Sequence, residues 1–197
     1  SDIFTDLGNT PLANSFLTLD MLDKKEISFP LKSFVCQKCF LVQVDEFEKP
    51  QNIFNDYAYF SSYSTSWLEH IKDFSEQMID RFSLSKNDQV IEIASNDGYL
   101  LKNFKNHEIP VLGIEPAANV SKIAENMGIP TVVDFFNSNS VEKIVNSGIK
   151  ANLLIAFNVL PHVPNLNDFI LGMKKIIKKK GIIVIQFSAY LLDVIQK

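Results

Sequence analysis

Two carboxylates and a small turn, spaced as in a nucleoside-binding site, carry the most chemical information in this sequence. Residues 90–101, Val-Ile-Glu-Ile-Ala-Ser-Asn-Asp-Gly-Tyr-Leu-Leu, place Glu92 in a short apolar strand that runs into a polar turn with Gly98. Glycine there lets backbone N–H groups approach a ligand. Glu115 follows 23 positions after Glu92, at the end of the next predicted strand, where a carboxylate can accept hydrogen bonds from both ribose hydroxyls. The pattern predicts a site for a nucleoside cofactor.

The turn departs from the dinucleotide fingerprint G-x-G-x-x-G. Ala94 and Asn96 stand where its first two glycines would be, so a tight approach of a pyrophosphate is disfavoured. An acidic residue inside the strand, a small turn residue, Asp97 and Gly98 fit the cradle of class I S-adenosylmethionine methyltransferases, whose ligand has no phosphate. The alternative is an ordinary β-α connection, which a short motif taken alone does not exclude.

The elements that position these residues alternate regularly from Gln89 onward. Five strand patterns and four helix patterns follow each other: strands near 89–93, 111–114, 130–133, 151–157 and 182–187, and helices near 98–105, 117–127, 138–147 and 166–179. Such an order predicts an α/β, Rossmann-like fold with a mostly parallel sheet and helices on both faces. Ligands of such sheets bind at the carboxyl ends of the strands.

A β-rich module is predicted at residues 1–56, with Cys36-Gln-Lys-Cys39 between two strand-forming segments. This corner has the shape of a zinc knuckle, yet structural zinc needs four ligands. The remaining candidate ligands are distant in sequence: His70, His107 and His162. A reduced pair without a role and a redox pair are the alternatives. The redox pair is disfavoured because no helix N-terminus would lower a thiol pKa there.

An aromatic and hydroxyl-rich linker and a helix are predicted at residues 57–82. Thr65 or Ser66 could cap this helix. Its apolar side chains recur at three- and four-residue spacing and predict a face in the core: Trp67, Ile71, Phe74, Met78 and Phe82. The third predicted division, residues 83–197, is the cofactor-binding core.

Composition excludes several classes of partner. The net charge is −4, and the lysines are dispersed except for Lys174, Lys175 and Lys178–Lys180, so nucleic acid is not an expected partner. This lysine run is predicted to close the helix that precedes Gly181. No apolar run is long enough for a membrane span or indicates a signal peptide, so we expect no membrane partner and a cytoplasmic protein.

Four segments of this sequence resemble the sugar C-methyltransferase family. The likeness lies in the turn of residues 90–101, in Gly-Ile-Glu-Pro-Ala-Ala-Asn-Val at 113–120, in Asn-Val-Leu-Pro-His-Val-Pro-Asn-Leu-Asn-Asp-Phe at 158–169, and in Asp-Tyr-Ala-Tyr-Phe-Ser-Ser-Tyr-Ser at 56–64. Members have an N-terminal zinc module before an S-adenosylmethionine-dependent methyltransferase core. In that family alanine and asparagine are usual in the turn.

The resemblance implies cofactor roles at matching positions. Ala94, Asn96 and Gly98 would face the methionine part, and Glu115, followed by Pro116, would hold the ribose. Asp134 and Phe135 would flank the adenine, and Asn158 would border the sulfonium. Two further residues complete the predicted cofactor site: Glu92 and Tyr63. A solvated strand end is the alternative for Glu115.

The resemblance also implies a substrate, a nucleotide-linked 4-keto deoxysugar methylated at its 3-carbon. Carbon methylation needs a carbanion, which a sugar offers only next to a carbonyl group, so a base and enolate-stabilising donors are required. The predicted catalytic residues are His162, which could bind the sugar or move a proton, and Tyr57. The alternatives are a packed histidine and tyrosines that only anchor the linker.

We also expect that this chain lacks parts of the resembled family. A second Cys-x-x-Cys would lie upstream of Asp6–Asn14, and a His-Glu acid/base segment beyond Lys197, so half a zinc site and no turnover are expected. The fifth strand would then be an unpaired apolar edge and support self-association. Two other functions stay open: an NAD(P)-dependent reductase and a non-catalytic zinc or scaffold module.

Overall fold

The computed structural model describes residues 2–54 and 57–187, so residues 188–197 of the predicted core lie outside the described residues. The chain divides into two compact units, one ending at Tyr59 and the other beginning at Phe60. The described helices include none that is long and apolar enough to cross a membrane.

The N-terminal unit contains a three-stranded antiparallel sheet. Its elements are β1 (Asp2–Thr10), a 3-10 helix (Leu19–Met21), β2 (Phe29–Val35), β3 (Val42–Val44) and α1 (Pro50–Phe54). The strands are ordered β1-β2-β3, and the β2–β3 pair flanks the cysteine corner as predicted. Strand β1 had no counterpart in the sequence prediction.

The C-terminal unit opens with a 3-10 helix (Ser61–Tyr63) and α2 (Thr65–Phe82). Ser64, rather than Thr65 or Ser66, is the N-cap, because its Oγ accepts the Trp67 N–H at 3.3 Å. The predicted apolar face is confirmed, since Ile71 and Met78 are buried in the core. The other three residues of that face pack partly buried against the same core: Trp67, Phe74 and Phe82.

Up to residue 187, where the described part of this unit ends, five parallel strands and four further helices follow α2. The strands are β4 (Val90–Ile93), β5 (Val111–Ile114), β6 (Thr131–Val132), β7 (Ala151–Phe157) and β8 (Ile177–Gln186). The helices are α3 (Leu101–Asn106), α4 (Ala118–Asn126), α5 (Ser138–Asn146) and α6 (Leu166–Ile176), with a 3-10 helix at Leu160–His162. The predicted α/β fold with a parallel sheet is confirmed.

Apolar side chains cover both faces of this sheet. Alternate residues of β7 point to opposite faces. Leu153 and Ile155 pack in a cluster with residues of α2 and α3, and Leu154 and Ala156 pack in a second cluster with residues of α5 and α6. Burial on both faces explains why the strands are continuously apolar.

The strand order is β6-β5-β4-β7-β8. Chain order therefore reverses at β4, which pairs with β5 on one side and with β7 on the other. A parallel sheet has its ligand crevice at such a reversal, outside the carboxyl ends of the strands. The turn that follows β4 lies at this point.

The prediction that the lysine run closes a helix is confirmed for Lys174 and Lys175, which lie in the last turn of α6, and is wrong for Lys178–Lys180. Helix α6 ends at Ile176, and Ile177 has the extended angles φ −75° and ψ 140°. Lys178–Lys180 lie in β8, whose first residue pairs with Ala151 of β7. Lys178 Nζ also donates to Asn152 Oδ1 at 2.6 Å. These lysines lie between the residues of β8 that pair with Ala151 and Leu153, and this tertiary context overrides the helical propensity of lysine.

Helix α3 begins at Leu101, three positions after the predicted start at 98. Asn96 and Gly98 have φ angles of 49° and 80°, which lie outside the helical region. The intervening chain forms turns instead. Because α3 has only six residues, the cradle depends on the turn itself rather than on a long helix dipole.

Candidate functional site

The turn after β4 is held in an unusual backbone conformation. Ala94, Asn96 and Gly98 all have positive φ angles, 56°, 49° and 80°. For a residue with a side chain this region costs roughly 1–2 kcal/mol. Ala94 N–H donates to the Ile114 carbonyl at 2.8 Å, which ties the turn to the end of β5. Such conformations persist where surrounding contacts enforce them, and they concentrate at ligand sites.

Gly98 is needed for packing as well as for its backbone angle. A Cβ atom there would lie 2.6 Å from Ile129 Cδ1 and 3.1 Å from Ala124 Cβ. The missing side chain therefore lets the turn lie directly against α4 and the segment before β6. The sequence argument expected this glycine to admit a ligand, and the structure adds a steric reason for it.

The carboxylate of Glu115 connects two loops at the crevice. Its Oε2 accepts the Asn96 N–H and its Oε1 accepts the Ala117 N–H, both at 2.9 Å. The residue is only 5% exposed. Burial raises the pKa of this carboxyl group, and the two backbone N–H groups partly oppose the rise. Each oxygen keeps acceptor capacity, so the group fits the two hydroxyls of a ribose.

The side chains of the turn hold a segment that sequence reasoning did not connect to it. Asn96 Oδ1 accepts the Ser61 N–H at 2.9 Å, and Asp97 Oδ2 accepts the Ser62 N–H at 3.2 Å. We call residues 60–64 the strap. Tyr63, a predicted cofactor residue, is on this strap and is 80% exposed, and its ring lies 5.3 Å from that of Phe60.

Glu92 lies on β4 with no exposed surface. Burial raises its pKa well above the usual range, and the nearby Glu115 and Asp97 raise it further. The Tyr99 hydroxyl lies nearby and lowers the pKa of Glu92, which partly opposes the rise. Neither carboxyl oxygen of Glu92 has a hydrogen bond of ordinary geometry to a described residue. Burial therefore favours the neutral form of the Glu92 carboxyl group. It can influence a ligand only through its neighbours.

Asp97 is a candidate binding residue that the sequence-based set omitted. It is 1% exposed, and its Oδ1 has no hydrogen-bond partner among the described residues. The Ser95 hydroxyl, in the same turn, is also buried without a partner there. Buried polar atoms of this kind are uncommon and mark places where a ligand or an ordered water completes the hydrogen bonding. The acidic type of residue 97, next to Gly98, was the available signal.

The predicted adenine and ribose neighbours follow the ends of β5 and β6. Asp134 is half-buried, and its Oδ1 accepts the Phe135 N–H at 2.8 Å. Pro116 is half-buried directly after Glu115. Since β4, β5 and β6 are parallel neighbours, these residues lie along the same sheet edge as the turn.

The residues predicted near the transferred methyl group follow β7, on the other side of β4. Asn158 is exposed, has a φ of 54°, and donates its N–H to the Gln186 carbonyl at 2.8 Å. His162 is exposed at the end of the 3-10 helix, where its N–H donates to the Val159 carbonyl. The parallel pairing of β4 with β7 brings both residues to the edge that carries Glu115.

Tyr57 belongs to the N-terminal unit. Its ring lies 5.5 Å from that of Phe54 and 6.3 Å from that of Tyr59. Both of these ring contacts lie within the N-terminal unit. The catalytic role of Tyr57 stays a prediction.

The cysteine corner closes the hairpin of β2 and β3. Cys36 N–H donates to the Leu41 carbonyl at 3.0 Å, and Phe40 N–H donates back to the Cys36 carbonyl at 2.8 Å. Both cysteines are free thiols. The backbone N–H groups of Cys39 and Lys38 lower the pKa of Cys36. These N–H groups belong to a turn and not to a helix N-terminus, which was the source that the sequence argument considered.

A thiolate is the form that binds zinc. Cys36 and Cys39 can supply two of the four ligands of a structural site. Among residues 2–54 and 57–187, no group of three or more histidine, cysteine or acidic side chains is arranged to hold a metal ion. The corner thus fits half of a zinc site.

Two family models match this chain. Residues 65–196 match a model described as a methyltransferase domain. Residues 2–54 match a model described as a "putative zinc binding domain". One matched segment ends before the strap, and the other begins directly after it.

A curated relative aligns with nearly the whole chain. It is the C-methyltransferase NovU from Streptomyces niveus, which is 26% identical over 189 residues, or 96% of this chain. The chain spans 45% of the length of that relative.

Solved structures share the fold of the C-terminal unit. An S-adenosylmethionine-dependent methyltransferase from Clostridium acetobutylicum superposes with a TM-score of 0.52 at 16% identity, over 62% of this chain and 51% of that one. A TehB-like methyltransferase from Corynebacterium glutamicum gives 0.50 at 18% identity, over 58% and 62% of the two chains. The class I methyltransferase fold that the sequence predicted is confirmed.

Proposed function

The chain belongs to the methyltransferase domain family, and we propose that it is a C-methyltransferase that acts on a nucleotide-linked 4-keto deoxysugar. The observation that carries the cofactor part is the buried Glu115 carboxylate, held at the strand reversal by the N–H groups of Asn96 and Ala117. The name of the C-methyltransferase relative supports methylation at carbon, and the four resembling segments support the sugar substrate.

Different residues of the crevice contact different parts of the cofactor. Glu115 accepts the ribose hydroxyls, and Asp134 with Phe135 flanks the adenine. Ala94, Asn96 and Gly98 form the wall of the methionine part. When bound, S-adenosylmethionine supplies an electrophilic methyl group on a sulfonium ion. S-adenosylmethionine has no phosphate group. Its turn can therefore carry side chains at positions 94 and 96, where a pyrophosphate-binding turn has glycines.

The substrate must present a carbon nucleophile. A base removes the proton from the carbon next to the keto group, and the electron pair moves to the carbonyl oxygen as an enolate. The carbon–carbon bond then forms as the carbon–sulfur bond breaks, with its electron pair left on sulfur. His162, exposed after β7, binds the sugar or carries this proton. Tyr57 is the second candidate for contact with the sugar.

A label placed on the transferred carbon tests this proposal. The protein is incubated with S-adenosylmethionine carrying a ¹³C methyl group and with a panel of nucleotide-linked 4-keto deoxysugars in deuterated water. A carbon-bound methyl signal in the ¹³C spectrum would support the proposal and overturn the expectation that this chain does not turn over substrate. Deuterium exchange at the carbon next to the keto group, with the cofactor left out, would support the enolate step. A methyl signal on oxygen or nitrogen would contradict carbon methylation.

The reductase alternative has its own discriminator. NADH and NADPH carry a pyrophosphate, which Ala94 and Asn96 disfavour at this turn. We expect S-adenosylhomocysteine, but neither nicotinamide cofactor, to raise the melting temperature. A rise with NADPH and none with S-adenosylhomocysteine would favour the reductase.

We further propose that Cys36 and Cys39 supply two of the four ligands of a zinc ion. The other two ligands would come from groups other than those that the described structure places at this corner. The lowered pKa of Cys36 supports a thiolate there. Elemental analysis should find zinc in the wild-type protein and less in Cys36→Ser. Equal zinc contents in the two proteins would rule out this corner as the site.

A further inference from the structure

Asn96 bonds both to the Glu115 carboxylate and to the strap. We propose that Asn96 is a positioning residue that couples the strap to the nucleoside-binding carboxylate, so that ligand binding at Glu115 and docking of the strap stabilise each other. This inference rests on the proposed function, because it assigns Glu115 to the ligand. It adds a residue whose task is to transmit binding to a separate segment.

The two contacts of Asn96 come from different parts of the residue. Its backbone N–H donates to Glu115 Oε2, and its side-chain Oδ1 accepts the Ser61 N–H, each at 2.9 Å. The φ angle of 49° aims these groups in the required directions. A glycine at this position, as in the dinucleotide fingerprint, would keep the first contact and lose the second. The side chain of Asn96 therefore gives the turn a connection that glycine cannot provide.

Because the bonded groups are buried, loss of these hydrogen bonds costs free energy. Asn96 is 6% exposed, Ser61 8% and Glu115 5%. If the Asn96 side chain were removed, the Ser61 N–H would stay buried without this acceptor or the strap would leave the turn. Either outcome costs free energy, because a buried donor without a partner is expensive. A ligand that fixes Glu115 also fixes the Asn96 N–H, and thus favours the docked strap.

A second attachment makes the strap one unit. Asp97 Oδ2 accepts the N–H of Ser62, the residue next to Ser61, and the 3-10 helix Ser61–Tyr63 holds these amides in one rigid turn. Ser64, at the end of the strap, caps α2. The strap therefore reaches from the ligand turn to the first long helix. Ligand binding and strap docking are thermodynamically linked. Docking of the strap must therefore raise ligand affinity by the same factor by which ligand binding raises the equilibrium constant for docking.

Two variants remove the coupling from its two sides. Asn96→Gly removes the acceptor and suits the positive φ angle, so the backbone is not strained. Ser61→Pro removes the donor at the first position of the 3-10 helix, and the preceding Phe60, at φ −111° and ψ 119°, tolerates a following proline. Ser62→Ala removes only a hydroxyl group and keeps the amide, so it is the matched control.

The measurements are amide hydrogen exchange of residues 60–64 and titration calorimetry with S-adenosylhomocysteine. In the wild type, the ligand should slow exchange in the strap. Each coupling variant should speed that exchange without ligand and weaken affinity roughly tenfold, the loss of about one buried hydrogen bond. The double variant should be no weaker than either single one, and Ser62→Ala should match the wild type.

The outcomes separate this inference from the proposed function. If S-adenosylhomocysteine does not bind the wild type, the proposed function fails, and the coupling fails with it. If it binds the wild type and both coupling variants with equal affinity, only the coupling is refuted. Additive losses in the double variant would also refute it, because they would mean that Asn96 and Ser61 act independently.

Discussion

The Glu115 carboxylate accepts a hydrogen bond from the Asn96 backbone N–H at 2.9 Å. This buried side chain therefore joins the end of β5 to the turn after β4. The second oxygen of Glu115 accepts the Ala117 N–H at the start of α4. One side chain thus sets the spacing of two loops that line the crevice. A ligand that uses this carboxylate meets a group whose position is already fixed, which lowers the entropy cost of binding.

The first prediction concerns the pH dependence of affinity. Burial raises the pKa of Glu115. Below that raised pKa the carboxyl group is protonated and accepts poorly from two ribose hydroxyls. Affinity for S-adenosylhomocysteine should therefore increase as pH rises through the raised pKa and level off above it. Calorimetry from about pH 5 to about pH 8 measures this, with Glu115→Gln as the control that should show a flatter curve. Identical curves in the two proteins would show that another group titrates.

The second prediction compares two glycines with left-handed backbones. Gly98 has a φ of 80° and faces Ile129 and Ala124, whereas at Gly148, with a φ of 89°, an added Cβ atom would have no described atom within 4 Å. Gly148→Ala should cost only the backbone term of about 1–2 kcal/mol. Gly98→Ala adds overpacking of about 1–3 kcal/mol. Urea unfolding of the two variants gives the comparison, and equal losses would mean that the turn can move away from α4.

The third prediction concerns Glu92 and the stability of the ligand-free protein. Its pKa is well above the usual value in the folded state, so the folded protein holds a proton that the unfolded chain releases. Stability should fall as pH rises from the usual glutamate pKa of about 4.3 toward the raised pKa, by up to about 1.4 kcal/mol per pH unit. Glu92→Gln, which cannot ionise, should lose this dependence. Unfolding curves from about pH 5 to about pH 9 test it, and an unchanged slope in the variant would refute the assignment.

The fourth prediction concerns Asp97. Its buried Oδ1 lacks a partner among the described residues, and a carboxylate oxygen in that position suits the ammonium group of the methionine part. Asp97→Asn should weaken S-adenosylhomocysteine binding about tenfold or more and leave that of 5′-methylthioadenosine, which has no ammonium group, nearly unchanged. Equal losses for both ligands would instead indicate a general collapse of the turn.

The sheet and the helices on its two faces followed from local sequence patterns. Trp67, Ile71 and Phe74 recur at helical spacing, and continuous apolar runs such as Leu153–Phe157 are typical of a buried parallel strand. Periodicity records which side of an element is buried, and burial of apolar surface is what stabilises the core. The edge that carries the candidate site followed from the same alternation, because parallel strands end together.

Other features depend on contacts between distant parts of the chain. The Asn96–Ser61 hydrogen bond spans 35 residues, and nothing local at either position indicates its partner. Lys178–Lys180 have the composition of a helix end, yet they lie in β8, between the residues that pair with Ala151 and Leu153 of β7. The positive φ of Ala94 is likewise enforced by the fold, since alanine does not prefer it.

Titration calorimetry with S-adenosylhomocysteine, on the wild type and on Glu115→Ala, measures whether the Glu115 carboxylate holds the ligand. The wild type should bind one ligand per chain, and Glu115→Ala should bind at least about tenfold more weakly while keeping its fold by circular dichroism. Absence of heat and of any thermal shift with the wild type would contradict cofactor binding in this crevice. Unchanged affinity in Glu115→Ala would contradict the placement of the ribose at this carboxylate.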